Sequence, residues 1–247
     1  MRDFFSFDPK LLFYGFAIIF FASYGQTFFI SIFNNEIRNF YQLSDGEFGL
    51  VYAFGTLTSS FALVGFAKLI DHIDLRYYSF IISIGLAFAC LSMYILYDSV
   101  IYLFFVIFGL RFFGQGAMSH TGTTTMSRYY TADRGKAISV GTFGDTLAMM
   151  TLPIIALYVI QLVGWTQVWL FAGFSILISF IPLYLYLLKD HNRLHKDFLN
   201  RTNDIKIQKY WRRRDVLIDK NFYVYLPISI APPFISTGLI FHQVFII

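Results

Sequence analysis

The stretch "VIYLFFVIFGLRFFGQGAMSHTG", residues 100 to 122, decides how the rest of the chain is read. Its first eleven residues carry no charge, and then Arg111 arrives, with Gln115 one turn on and glycines at 109, 114 and 116. A run of about 20 mostly apolar residues matches the hydrocarbon thickness of a bilayer when coiled as a helix. A guanidinium stays protonated at any ordinary pH. Arg111 therefore needs an anion, water or carbonyl oxygens, so this segment must have an interior face as well as a lipid face.

Working outward, the same apolar density recurs. The spacing predicts seven spans over about 11–33, 48–70, 77–97, 101–123, 137–162, 164–188 and 222–247. The chain is 57% hydrophobic, 21% aromatic and 14% charged, against about 25% charged in an ordinary soluble domain. An all-α polytopic membrane bundle follows. The first segment is too long for a cleaved signal peptide, and no small-residue cleavage site follows it. Cys90 is the single cysteine, which excludes an intramolecular disulfide and a thiol metal cluster.

Charge orders the loops. With the N-terminus in the cytoplasm and sides alternating, 17 of the 19 basic residues fall on that side, ten of them between 189 and 220. Arg38 alone falls outside, and Arg111 lies within a span. Such a bias obeys the positive-inside rule. It makes the net charge of +4 a signal of topology rather than a nucleic-acid footprint. The 189–220 loop, with its "KYWRRRD" run, is either a solvated linker or an interfacial helix on anionic lipid, with Tyr210 and Trp211 at headgroup depth. "HNRLH", His191 to His195, lacks the glutamate of a zinc-hydrolase motif, so no metal is expected.

A short repeat supports a two-part plan. Ile32-Phe33-Asn34-Asn35 aligns with Ile240-Phe241-His242-Gln243 at an offset of 208, a spacing that suits six helices plus a linker repeated in parallel. The expected organisation is a six-helix bundle over 1–188, a basic cytoplasmic linker over 189–220, and the first helix of a second bundle over 221–247. Because the last helix stops without a polar flank, the expectation is that a C-terminal half is missing.

Local motifs make the resemblance specific. "AKLIDHIDLR" resembles the cytoplasmic signature of the major facilitator superfamily, with Asp71 at the signature acid and Arg76 at its last basic position; His72, Asp74 and Leu75 depart from it. "RFFGQG" resembles the family's R-x-x-x-G element with its glycines displaced by one. "SRYYTADRGKAISVGTFG", which holds Arg128 and Arg134, is similar to the oxalate/formate and monocarboxylate porter branches, although Asp145 follows Gly144 where proline is usual. The resemblance implies a secondary transporter of the inner (plasma) membrane, with central helices lining one solute site. It also implies gating by Asp71, Arg76, Arg128 and Arg134.

Polar stripes inside spans nominate the site. Tyr24, Thr27, Ser31 and Asn34 recur at spacings of three, four and three along the first segment, with Gln26 to one side. Arg111, Gln115, Met118 and Gly122 share a face of the fourth, with His120 beside it, and Thr142, Asp145 and Met149 share one of the fifth. Tyr24, Gln26, Thr27, Asn34, Arg111, Gln115 and His242 are the expected solute contacts, and Asp145 or His120 the expected proton carrier. Arg111 is either a ligand for a small anion such as a carboxylate, or a bundling cation held by Asp145 or by carbonyl oxygens. No cofactor is expected, since no phosphate loop is present. Intramembrane enzyme chemistry would need paired carboxylates, a zinc motif or a Ser-His pair within the spans, and none occurs. The implied partners are a small, anionic solute and membrane lipid. A sensor or assembly factor on a transporter-like fold is the remaining alternative.

Overall fold

A computed structural model describes residues 8–189, 191–192 and 213–241. Its described residues form helices and no strands. Two units are distinguished, Met1–His191 and Asn192–Ile247. In the first, α1 (Pro9–Gly25) and α2 (Thr27–Tyr41) meet at a 42° bend, followed by α3 (Asp45–Asp71), α4 (Leu75–Ile95), α5 (Val100–Tyr129), α6 (Arg134–Val163) and α7 (Trp165–Leu187). In the second, α8 (Lys220–Phe241) carries Pro227, Pro232 and Pro233. Six of these helices are long and apolar enough to cross a membrane, and a seventh span results if the bent pair is one crossing. The chain is thus an all-α polytopic membrane protein.

Helix starts follow local chemistry. Asp8 accepts from the Leu11 amide at 2.9 Å, with Pro9 at the first helical position. Ser44 and Glu47 form a reciprocal capping box on α3. Asp74 caps α4 through the Arg76 amide at 2.8 Å. Burial raises the Asp74 pKa, but the hydrogen bonds and charge of Arg76 outweigh it and hold the carboxyl below its ordinary value. Gly164, between α6 and α7, has φ +95°, a conformation that side chains rarely tolerate.

Lipid offers no hydrophobic drive between helices, so close backbone approach governs packing. The closest approach joins α1 to α5. A Cβ on Gly114 would lie 2.7 Å from the Gly25 Cα and 2.9 Å from the Ala22 carbonyl oxygen, and a Cβ on Gly25 would run into the Leu110 carbonyl oxygen. Large apolar side chains such as Phe61, Phe88 and Ile154 face outward, as lipid contact demands.

The first segment departs from the expected single helix. Gln26 is extended, with φ −81° and ψ 155°, and the chain tightens into 3-10 turns at Ser23–Gly25 and Ser31–Phe33. The fourth departs too: Leu110–Met118 is a π-helix of 9 residues inside α5, a wide-turn form that is rare and often found at functional sites. Most of the 189–220 loop, including the "KYWRRRD" aromatics, lies outside the described residues, as do His242 and Gln243 of the repeat.

Candidate functional site

The break and the π-helix face each other, and Arg111 fills the space between. It lies about 17 Å from one end of α5 and about 27 Å from the other at 1.5 Å per residue, and it is 4% exposed. Its Nη1 donates to the Gly25 carbonyl oxygen at 3.2 Å and to Thr27 Oγ1 at 3.1 Å. Its Nε donates to Thr56 Oγ1 on α3 at 3.2 Å. The guanidinium carbon sits 5.2 Å from the ring centroid of Tyr52, whose hydroxyl donates to Thr27 Oγ1 at 2.9 Å. The Gly25 bond has a clear cause. In an unbroken helix Phe29 would donate to Gly25, but its amide reaches the Gln26 carbonyl instead, at 3.2 Å. Arg111 satisfies the carbonyl that the break frees, which lipid cannot do.

Every one of these partners is neutral. Arg111 makes no ion pair with Asp145 or with any other described carboxylate. Asp145 instead accepts from Ser23 Oγ at 2.9 Å. The two charges of the bundle interior therefore dock separately on the same turn of α1, two residues apart.

The break also redistributes the stripe expected on the first segment. Thr27 reaches Arg111, but Tyr24 turns the other way, where Ser175 of α7 donates to its hydroxyl at 3.0 Å. Ser31 bonds its own Phe28 carbonyl at 3.1 Å. Asn34 is fully buried, and neither atom of its amide has a partner. Gln26 and Gln115 are half-buried and make no side-chain hydrogen bond among the described residues. The stripe is not one face, because the 3-10 turns and the extended residue change the rotation per residue. The same reasoning applies to Arg111, Gln115, Met118 and Gly122, since the π-turns interrupt regular spacing. On α6, Asp145 is half-buried, whereas Thr142 and Met149 are exposed.

His120 lies farther along α5, with Nε2 3.4 Å from Thr124 Oγ1 and Nδ1 buried without a partner. His242 lies outside the described residues. Tyr52, Thr56 and Ser23 were not anticipated. Tyr52, Thr56, Ser59 and Ser60 form a polar row at spacings of four, three and one on the second segment. Applied there, the criterion used for the first segment finds them.

A second cluster closes the C-terminal end of α5. Arg128 pairs with Asp71. Tyr129 shares a hydrogen with His191 Nε2 at 3.2 Å, and Tyr130 donates to the Asp8 carbonyl at 2.5 Å. Burial raises the Tyr130 pKa, so it stays a neutral donor. Three successive residues thus tie down the end of α3, the chain just beyond α7 and the start of α1. Arg76 bonds Asp74 at 3.2 Å. Arg134 is exposed and forms no described ion pair, and Asp133 accepts from Lys136 at 2.6 Å instead of capping α6.

No curated protein and no solved structure matches the chain. A sequence model of the Major Facilitator Superfamily does match, over residues 15–247, nearly the whole length: the chain belongs to this family of membrane transporters.

Proposed function

We propose that the chain is part of a secondary active transporter that moves a small organic anion, such as a carboxylate, by alternating access. One observation carries the substrate class. Arg111 is a buried cation in mid-span whose three hydrogen-bond partners are all neutral. A desolvated charge without a counter-ion costs several kcal/mol on any scale, and an anionic solute removes that cost on binding. Thr27, which accepts from it, Gln26, which lies between its partners Gly25 and Thr27 in the chain, and Gln115, four residues farther along α5, complete the proposed binding face. Asp145, held by a single neutral hydroxyl, is the proposed proton carrier. The oxalate/formate-like "RGKA" element favours a carboxylate over a phosphate. Uptake of labelled oxalate, formate and acetate by vesicles containing the full-length protein tests this reading, and the absence of uptake for all three would refute it.

Orientation is read from charge, with the N-terminus in the cytoplasm and the protein in the inner membrane. Cysteines placed at Asn192 and at Thr166, in a Cys90→Ala background, are expected to react with impermeant reagents from opposite sides. Reaction of both from outside refutes the topology.

The Asp71–Arg128 pair is the proposed cytoplasmic gate element. Asp71 is more than half exposed, and such pairs contribute about 0–1 kcal/mol to stability. Asp71→Asn is therefore expected to leave folding intact and solute affinity within about threefold, while slowing turnover about tenfold or more. A loss confined to affinity would assign Asp71 to the binding site instead.

A further inference from the structure

The hydrogen-bond inventory of Arg111 limits how any anion can reach it. A guanidinium has five N–H groups. The Nε hydrogen goes to Thr56, and the two on Nη1 go to Gly25 and Thr27. Only the two on Nη2 lack a partner among the described residues. A carboxylate gripped in two places takes parallel hydrogens from two adjacent nitrogens. Those are Nε with Nη2, or Nη1 with Nη2. In either geometry one of the present protein partners has to leave.

The partners differ in what leaving costs. The Gly25 carbonyl has no other donor among the described residues, because the Phe29 amide is committed to Gln26, and a lone carbonyl in mid-span is penalised heavily. Thr27 is also fixed by the Tyr52 hydroxyl. Thr56 is cheaper to release. On the same helix Thr58 bonds the Phe54 carbonyl at 2.8 Å and Ser60 the Thr56 carbonyl at 2.9 Å, and a freed Thr56 hydroxyl can turn onto its own preceding turn in the same way.

We infer that an anionic solute binds Arg111 through Nε and Nη2, displaces Thr56, and so loosens α3 against α5 at that turn, with Tyr52 still stacked on Arg111, while the break in the first span stays capped. Thr56 is then a positioning residue that sets affinity by competing with the solute. This inference rests on the anionic-solute reading, so its test needs a readout that does not. The chain in lipid nanodiscs, with Cys90→Ala and spin labels at the exposed positions Leu57 and Phe105, gives the α3–α5 distance. Oxalate, formate and acetate serve as probes.

Thr56→Val leaves Nε unpaired only in the empty state, so it is expected to tighten binding of the active probe about fivefold. Thr56→Ser keeps the hydroxyl and the wild-type affinity, whereas Thr27→Val weakens binding. The label distance is expected to widen in wild type on adding probe, and in Thr56→Val without it. Weaker binding in Thr56→Val, or an unchanged distance in wild type saturated with probe, overturns the inference. If none of the three probes binds wild type, the anion reading fails separately. The distance in Thr56→Val then decides alone: widening supports a latch at Thr56, and no change overturns it.

Discussion

Arg111→Gln is expected to abolish anion uptake without lowering the stability of the fold. The two halves of this result come from opposed terms. Removing the guanidinium leaves the Gly25 carbonyl without its donor, which costs about 1–3 kcal/mol. It also removes a 4%-exposed charge that no described carboxylate compensates, and the desolvation penalty so relieved is of similar or larger size. Melting in detergent or nanodiscs should therefore be unchanged or higher, while uptake falls below detection. Arg111→Lys keeps the charge but loses the planar fork, and binding of a carboxylate is expected to weaken about tenfold or more. Adding Asp145→Asn to Arg111→Gln should restore nothing, since the two residues hold different partners on α1. Recovery of uptake in the double variant would make them a functional ion pair and remove Arg111 from the binding site. A large loss of stability in Arg111→Gln would reduce Arg111 to a helix cap.

Gly114→Ala is expected to be strongly damaging for a change of one methyl group. The added carbon would meet the Gly25 Cα at 2.7 Å and the Ala22 carbonyl oxygen at 2.9 Å. Both are backbone atoms, and the break in the first span cannot yield there without also moving the carbonyl that Arg111 caps. The cost should reach the upper end for overpacking, about 3 kcal/mol. That corresponds to a fall of about 6–12 °C in melting temperature at 2–4 °C per kcal/mol. Two controls separate this from a general effect of losing glycine. At Gly116 the nearest atoms are the tip of Leu63 at 3.2 Å, a side chain that can shift, and the Arg111 carbonyl oxygen at 3.3 Å, both farther off than the backbone atoms at Gly114, so Ala should cost less. At Gly135 no atom lies within 4 Å, and Ala should be neutral or slightly stabilising. Equal losses at all three positions would show that close α1–α5 approach is not what Gly114 provides.

Span number and span type were legible in the sequence because they depend on local composition. Twenty apolar residues in lipid have one economical conformation, whoever their neighbours are. Asp71 and Arg128, which pair in the structure, were legible for a similar reason, as members of short contiguous motifs. Arg111 was legible as a problem, since a charge in mid-span must be answered. What answers it depended on packing. The answer is a carbonyl freed by a helix break at Gln26, two threonines on separate helices, and a tyrosine ring. Periodicity could not supply these, because it assumes a constant rotation per residue, and both the 3-10 turns of the first span and the π-helix of α5 violate that assumption. Two of those irregular turns, Ser23–Gly25 and the π-helix, meet where Gly25 and Gly114 bring two backbones into contact across 89 residues of chain. The identity of each helix is thus a property of its own residues, while the face that each polar side chain presents is decided by its neighbours.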